Sequence, residues 1–291
     1  MEKWDTANLI INDAGRIYHL DLCGDDIADT IILVGDPQRV EVVSSFFDTI
    51  DIKREKREFI THTGTLRGKP LSVMSTGIST SNIDIAINEL DAVANIDLEN
   101  REIREKFRQL TFVRLGTSGS IDPETDVDTV VVSEYALGFD ALMFMYQAAE
   151  NPEPFFDELE KAIRFHFHQR GLSYPVYLTQ AHPELIEQFR SHYKTGITTT
   201  MHGFYGPQGR ELRLAGRYPK LIDILQSFEY KGKRFANIEM ESSAIFGLSG
   251  LLGHRAISFN CIIANRTAGR FSKDPYKSVR KMIGEVLDEL I

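Results

Sequence analysis

Short apolar runs that read as strands alternate along this chain with longer segments whose apolar residues recur every three or four positions, the spacing that marks helices. Ile31-Ile32-Leu33-Val34 is a buried strand that stops at Gly35. Asp36 then suits a helix N-cap and Pro37 the first helical position, with an amphipathic helix over 39–47. Segments 57–61 and 71–75 read as paired strands. Ser79, Thr80 or Ser81 caps a helix whose Ile83, Ala86, Ile87, Leu90 and Ala94 fall on one face. Segment 97–109 is highly charged and predicts a solvated helix or an insertion. Further strands are predicted at 128–133, 175–179, 196–201 and 256–264, and further helices at 155–170, 182–193, 219–228 and 276–290, with one more into which 237–243 leads and which runs through Leu252. The Met- and Phe-rich stretch 136–147 reads as core or interface packing.

This alternation, with no Pro/Gly/Ser-rich linker and no internal repeat, predicts one α/β domain over 1–291, built on a mixed, mostly parallel central sheet flanked by helices. Ligands of such folds sit at the carboxyl ends of strands. Phe112-Val113-Arg114-Leu115 carries a lone arginine and is expected to break into a turn at Gly116-Thr117-Ser118-Gly119. An isolated charge is costly to bury. Arg114 therefore either meets an anion where the backbone turns or pairs with a structural carboxylate. Gly35, Thr76-Gly77, Arg114 through Gly119, the loop 204–210, Glu239, Glu241 and Arg266 all fall at or beyond predicted strand ends, which implies one composite site. Taken singly, the loop 204–210 is an ordinary surface turn and the two glutamates are first-turn acids favoured by a helix dipole.

Composition narrows the classes. Hydrophobic residues make up 42% of the 291 and charged ones 26%, an ordinary globular balance. The formal net charge of -9 argues against a nucleic-acid surface while leaving room for a local anion pocket. No apolar run nears the ~18 residues of a membrane helix, and Met1-Glu2-Lys3-Trp4-Asp5 opens without a signal-like apolar region, so a soluble, cytoplasmic protein is expected. Cys23 and Cys261 lack metal-ligand spacing and read as reduced thiols, while His166 and His168 face apart on a helix and make no metal site.

Seven of these pieces, in order, carry a resemblance: Gly35-Asp36-Pro37-Gln38-Arg39-Val40, Arg57-Glu58-Phe59, Ser75-Thr76-Gly77-Ile78, Arg114-Leu115-Gly116-Thr117-Ser118-Gly119, the loop 204–210, Ile238-Glu239-Met240-Glu241-Ser242 and Asn265-Arg266-Thr267. From about His19 onward the sequence resembles the nucleoside phosphorylases of the uridine phosphorylase type. The resemblance implies that Gly35, Arg39, Arg114 and Thr117 hold inorganic phosphate, with Arg57 reaching over from a neighbouring subunit. It gives the ribose to Met240, Glu241 and Thr117, with His19 arriving from a partner through the N-terminal segment 1–25. Phe204 stacks on the base, Gln208 and Arg210 bond its polar edge, and Glu239, Ile263 and Arg266 line or support the base pocket. Arg210, Gln208 and Arg114 are the catalytic groups. The implied activity is reversible phosphorolysis of uridine, with deoxyuridine or thymidine as further substrates, by a homo-oligomer, dimer or hexamer, that shares sites between two subunits. Phosphate is a co-substrate and no cofactor is called for. Some relatives hold potassium between subunits, for which Glu58 is the candidate ligand.

The pattern departs from the bacterial form after Ile78, where Gly-Gly-Pro-Ser is expected and Ser79-Thr80-Ser81-Asn82 stands. Three rivals remain. Purine nucleoside phosphorylases carry a Ser-Asp acid where this chain has Ala264-Asn265. A nucleosidase uses water and needs no cluster like Arg39, Arg57 and Arg114. A catalytically silent nucleoside-binding protein would have no reason to keep every charged position.

Overall fold

The computed structural model describes residues 4–147 and 154–291, so residues 1–3 of the polar start lie outside the described residues. In chain order the elements are β1 (Thr30–Val34), α1 (Pro37–Ser44), β2 (Thr49–Lys56), β3 (Phe59–Leu66), β4 (Lys69–Ser75), α2 (Thr80–Asn95), β5 (Ile96–Asp97), β6 (Glu102–Ile103), β7 (Thr111–Ser120), β8 (Val130–Gly138), α3 (Pro154–Gln169), β9 (Tyr177–Gln180), α4 (Pro183–Phe189), β10 (Lys194–Thr200), α5 (Leu221–Gln226), β11 (Phe235–Glu239), α6 (Ser242–Leu251), β12 (Arg255–Asn265), β13 (Arg270–Phe271) and α7 (Pro275–Leu290).

Apart from the small β5-β6 hairpin, the strands form one mixed sheet ordered β13-β12-β8-β10-β11-β7-β1-β4-β3-β2, with β9 beside β8. Because β12 pairs with both β7 and β8, and β11 returns to β7, five strands close into a ring from which β1 to β4 extend as an open wing. Helices flank the sheet in a single α/β domain. One apolar core joins β1, β4 and β7 to α1, α2, α6 and α7, and a second packs α3 and α5 against β8 to β11.

β7 is the hub, and its sequence reads differently in place. The turn expected at Gly116 through Gly119 does not form: β7 runs extended for 10 residues. Strand β12 pairs along its whole length, from Thr111 to Ser120, and this continuous ladder overrides the local turn preference of Gly-Thr-Ser-Gly. On its other edge β7 pairs with β1 only as far as Arg114, opposite Leu33, and with β11 only from Gly119. Residues 115–118 are thus left between two neighbours, and a cleft opens there.

Two other expectations change. Segment 97–109 forms the β5-β6 hairpin and not a helix; Arg108 ties it down by donating to Asp29 Oδ1 at 2.6 Å, Gly24 O at 2.8 Å and Ile27 O at 2.6 Å. β2 has no fully buried residue, and Ile50 and Ile52 are its only apolar side chains, too short an alternation to mark a strand; it pairs with β3 through a turn at Arg57-Glu58, where Arg57 adopts φ 54°. In the Met- and Phe-rich stretch, Leu142 and Met143 pack on the core, but Phe144 and Met145 are 50% and 82% exposed.

Candidate active site

The cleft beyond Arg114 is the floor of a cavity of about 570 Å³ at the carboxyl ends of β1, β4, β7 and β11. Its wall gathers Gly35 and Arg39 from the β1–α1 junction, Arg114 and Thr117 from β7, Phe204, Gln208 and Arg210 from the loop after β10, Glu239, Met240 and Glu241 from the end of β11, and Ile263 from β12. Residues more than 200 positions apart in sequence therefore face one space. Arg39 and Arg114 open into the same cavity as Gln208.

The β1–α1 junction forms as its sequence dictates. Asp36 caps α1, its Oδ1 accepting from Gln38 N at 2.9 Å, and Pro37 begins the helix. Arg39, one turn on, reaches back to donate to Leu115 O at 3.3 Å. Burial holds its guanidinium below the ordinary arginine value, an effect the nearby Asp36 only partly offsets. Arg39 is a desolvated cation that an anion in the cavity would stabilise.

Arg114 and Gly116 lie two apart on an extended strand and so share a face. The arginine side chain folds over that glycine: a Cβ at 116 would lie 2.0 Å from Arg114 Nη1 and 2.3 Å from Cζ. The guanidinium is buried, and of the two fates open to it from sequence the carboxylate pairing is present. Nη2 donates to Glu241 Oε2 at 2.5 Å and lies 3.2 Å from Glu239 Oε2, while Nη1 donates to Asn260 Oδ1 at 2.8 Å. Burial alone would lower its pKa, but Glu239 and Glu241 outweigh that and raise it. An arginine so paired still lines the cavity, with its charge shared between two carboxylates and the space in front.

Glu239 lines the cavity too, but its carboxylate is turned inward. Oε1 accepts from Thr200 Oγ1 at 2.6 Å, and Oε2 from the backbone N of Glu241 and Ser242 at 3.0 and 2.9 Å. It holds the start of α6 and balances Arg114. Burial and the neighbouring Glu241 raise its pKa against the pull of Arg114. Glu241 is clamped on both oxygens, by Arg114 on Oε2 and by the backbone N of Ser79, which donates to Oε1 at 2.9 Å.

The loop after β10 is organised by its own side chains. Arg210 donates to Phe204 O at 2.8 Å and to Gln208 Oε1, with its guanidinium 3.9 Å above the Phe204 ring. Burial lowers the Arg210 pKa. Arg266 is not among the lining residues. It donates to Gln208 O, and to Gly209 O at 3.4 Å, so it tethers the loop from behind. Burial, with Arg210 nearby, pushes its pKa down to about 10, still cationic at neutral pH.

Besides Arg266, two predicted residues do not line this cavity: His19 and Arg57. His19 Nδ1 meets Glu89 Oε1 at 2.5 Å, and Arg57 is exposed at the β2–β3 turn. Glu58 Oε1 accepts from the Asn82 amide at 3.1 Å. Among the described residues no cluster of three or more His, Cys, Asp or Glu side chains is placed to hold a metal ion. Sequence reasoning missed Ser258 and Asn260, which support Arg114 from β12; the signal was present as polar residues at alternate positions of an apolar strand. It also missed the Ser79 amide, for which no side-chain signal exists.

Comparison with known proteins agrees with this architecture. A nucleoside phosphorylase from Trypanosoma brucei described as showing uridine phosphorylase activity superposes with a TM-score of 0.86 at 29% identity, covering 97% of this chain and 98% of that one. The uridine phosphorylase of Thermococcus kodakarensis is 29% identical over 99% of this chain and 91% of its own length, and that of Escherichia coli 28% over 86% and 87%. The model of the phosphorylase superfamily matches residues 29–291, and the chain belongs to that superfamily.

Proposed function

We propose that the protein is a uridine phosphorylase, a pentosyltransferase that converts uridine and phosphate reversibly to uracil and ribose 1-phosphate. The observation that carries the reading is the meeting, in one cavity, of Arg39, Arg114 and Thr117 with Phe204, Gln208 and Arg210 across the carboxylate of Glu241. The relatives at 28–29% identity, each called a uridine phosphorylase or described as showing that activity, support it.

In this mechanism phosphate sits against Arg39, Arg114 and the Thr117 hydroxyl, where desolvated guanidinium donors match its charge and oxygens. Glu241 accepts from the ribose 2′ and 3′ hydroxyls beside Met240. The base lies on Phe204 with its polar edge toward Gln208 and Arg210. Since Arg210 covers the Phe204 ring at 3.9 Å, the guanidinium slides aside to the edge of an arriving base, keeping its charge beside it. A phosphate oxygen then bonds to C1′ as the C1′–N1 bond breaks, and uracil leaves with the electron pair of that bond. Arg210 and Gln208 stabilise the negative charge on the departing ring, which takes its proton from solvent, and Arg39 and Arg114 orient the nucleophile. His19 and Arg57 complete the site from a second subunit, and the enzyme works in the cytoplasm as a homo-oligomer.

Asn265 favours a pyrimidine leaving group over a purine. At the position where purine enzymes carry an acid, its amide donates to Asp122 O at 2.9 Å and Thr125 O at 2.7 Å, and its oxygen accepts from Ala268 N at 2.8 Å. It has no proton to spare for a purine nitrogen. The test is to incubate the protein with uridine, thymidine, inosine and adenosine, with and without phosphate, and to identify the products. Uracil and ribose 1-phosphate formed only with phosphate support the proposal; free ribose without phosphate identifies a nucleosidase, and purine release the purine enzyme. Arg210→Ala should lose on the order of a hundredfold or more in turnover, as removal of one such donor costs about 2.7–4 kcal/mol. Uridine cleavage by this variant at the parental rate would remove Arg210 from the mechanism.

A further inference from the structure

Ser79 holds a backbone conformation that side chains rarely adopt, φ 93° and ψ 151°, in a region essentially reserved for glycine. Nothing in its own helix requires this. Its carbonyl accepts the first bonds of α2, from Asn82 N at 3.1 Å and Ile83 N at 3.3 Å, and its hydroxyl accepts from Ser81 N at 3.3 Å. An ordinary N-cap does the same work with extended backbone. What the unusual φ achieves is on the other side of the residue: it turns the Ser79 N–H away from α2 onto Glu241 Oε1 at 2.9 Å. Ser79 does not line the cavity, although Gly77 and Ile78 before it do.

We propose that Ser79 is a positioning residue for the ribose carboxylate, acting through its main-chain N–H and not through its hydroxyl. The inference rests on the reading of Glu241 as the acceptor of the ribose hydroxyls. Of the two clamps on that carboxylate, Arg114 also faces the phosphate subsite, so a bound phosphate draws on the same guanidinium. The Ser79 N–H faces only Glu241, and it keeps the carboxylate aimed while Arg114 is shared. A carboxylate has about four lone-pair sites, so one N–H on Oε1 leaves that oxygen able to accept from a hydroxyl. The strained backbone is thus used to fix one rotamer of Glu241 from the start of a neighbouring helix.

The test deletes the N–H and nothing else, by replacing the Ser79 amide with an ester through an α-hydroxy acid at that position. Cleavage of uridine is compared with that of 2′,3′-dideoxyuridine, which offers Glu241 no hydroxyl. The ratio of the two kcat/KM values should fall roughly tenfold or more, the usual worth of a hydrogen bond to a charged group, with the dideoxynucleoside unaffected. Ser79→Gly keeps the N–H and removes the strain, so it should retain the parental ratio and melt at a higher temperature. Ser79→Val, which cannot hold this φ, should lower the ratio as the ester does. An ester with the parental ratio, or a glycine variant that loses it, overturns the proposal. Absence of uridine cleavage by the wild type would overturn the reading of Glu241 as well, whereas cleavage with an unchanged ratio in the ester overturns this inference alone.

Discussion

Gly116→Ala perturbs the site through one methyl group, and its effect follows from the geometry of β7. The new Cβ would lie 2.0 Å from Arg114 Nη1, where ordinary contact needs roughly 3.5 Å. The guanidinium must therefore move by on the order of 1.5 Å. Its bonds of 2.5 Å to Glu241 and 2.8 Å to Asn260 do not survive such a shift, because N–H···O bonds reach only to about 3.2 Å. Glu239 and Glu241 then lose their buried counter-charge, and breaking one side of a buried ion pair costs about 3–5 kcal/mol. At roughly 2 °C per kcal/mol for a chain of this size, Tm should fall by about 6–10 °C. Phosphate titrations at saturating uridine should show kcat/KM for phosphate reduced on the order of a hundredfold, the usual cost of a ~1 Å misplacement of a positioning group. Gly250→Ala is the control: on α6 its added Cβ meets nothing within 4 Å, and alanine there should stabilise by roughly 0.5–1 kcal/mol. A Gly116→Ala enzyme with the parental Tm and phosphate dependence would show that Arg114 is not held over residue 116.

Two further outcomes test the surroundings. Asn265→Asp sets a carboxylate against the carbonyls of Asp122 and Thr125 that now accept from the amide; loss of those buried bonds should cost about 1–3 kcal/mol each in urea unfolding without any gain of inosine cleavage, and a fully stable, inosine-cleaving variant would contradict the assignment of Asn265. His62, His166 and His182 all have pKa values lowered by burial, with Lys53, Arg170 and Arg255 adding to it in turn. Below the ordinary value of 6.5 the unfolded chain binds protons that the folded chain refuses, so stability should fall as pH drops from about 7 toward the folded-state values and level off beneath them. His62 Nδ1 lies 2.9 Å from Ser44 Oγ; if His62→Gln leaves the slope of Tm against pH unchanged, His62 is not one of its sources.

By itself the sequence determined the alternation of strands and helices, the capped start of α1 at Asp36-Pro37, and the gathering of Gly35, Arg114, Thr117, Gln208, Arg210 and Glu241 at one end of the sheet. These follow from apolar periodicity and from polar residues at strand ends, both local properties of the chain. Tertiary structure alone decided the rest. Gly116 through Gly119 looks like a turn until β12 pairs along it, β2 has only Ile50 and Ile52 for an apolar face because it lies at the solvated edge, and the charged 97–109 segment becomes a hairpin once Arg108 finds the carbonyls of Gly24 and Ile27. Arg114 bonds a carboxylate 127 positions away, and Glu241 is held by a main-chain N–H 162 positions before it. A burial pattern tells a residue whether it is inside. Which partner a buried charge then meets depends on strand register and helix placement over the whole chain, and a backbone N–H has no side-chain letter by which to announce itself.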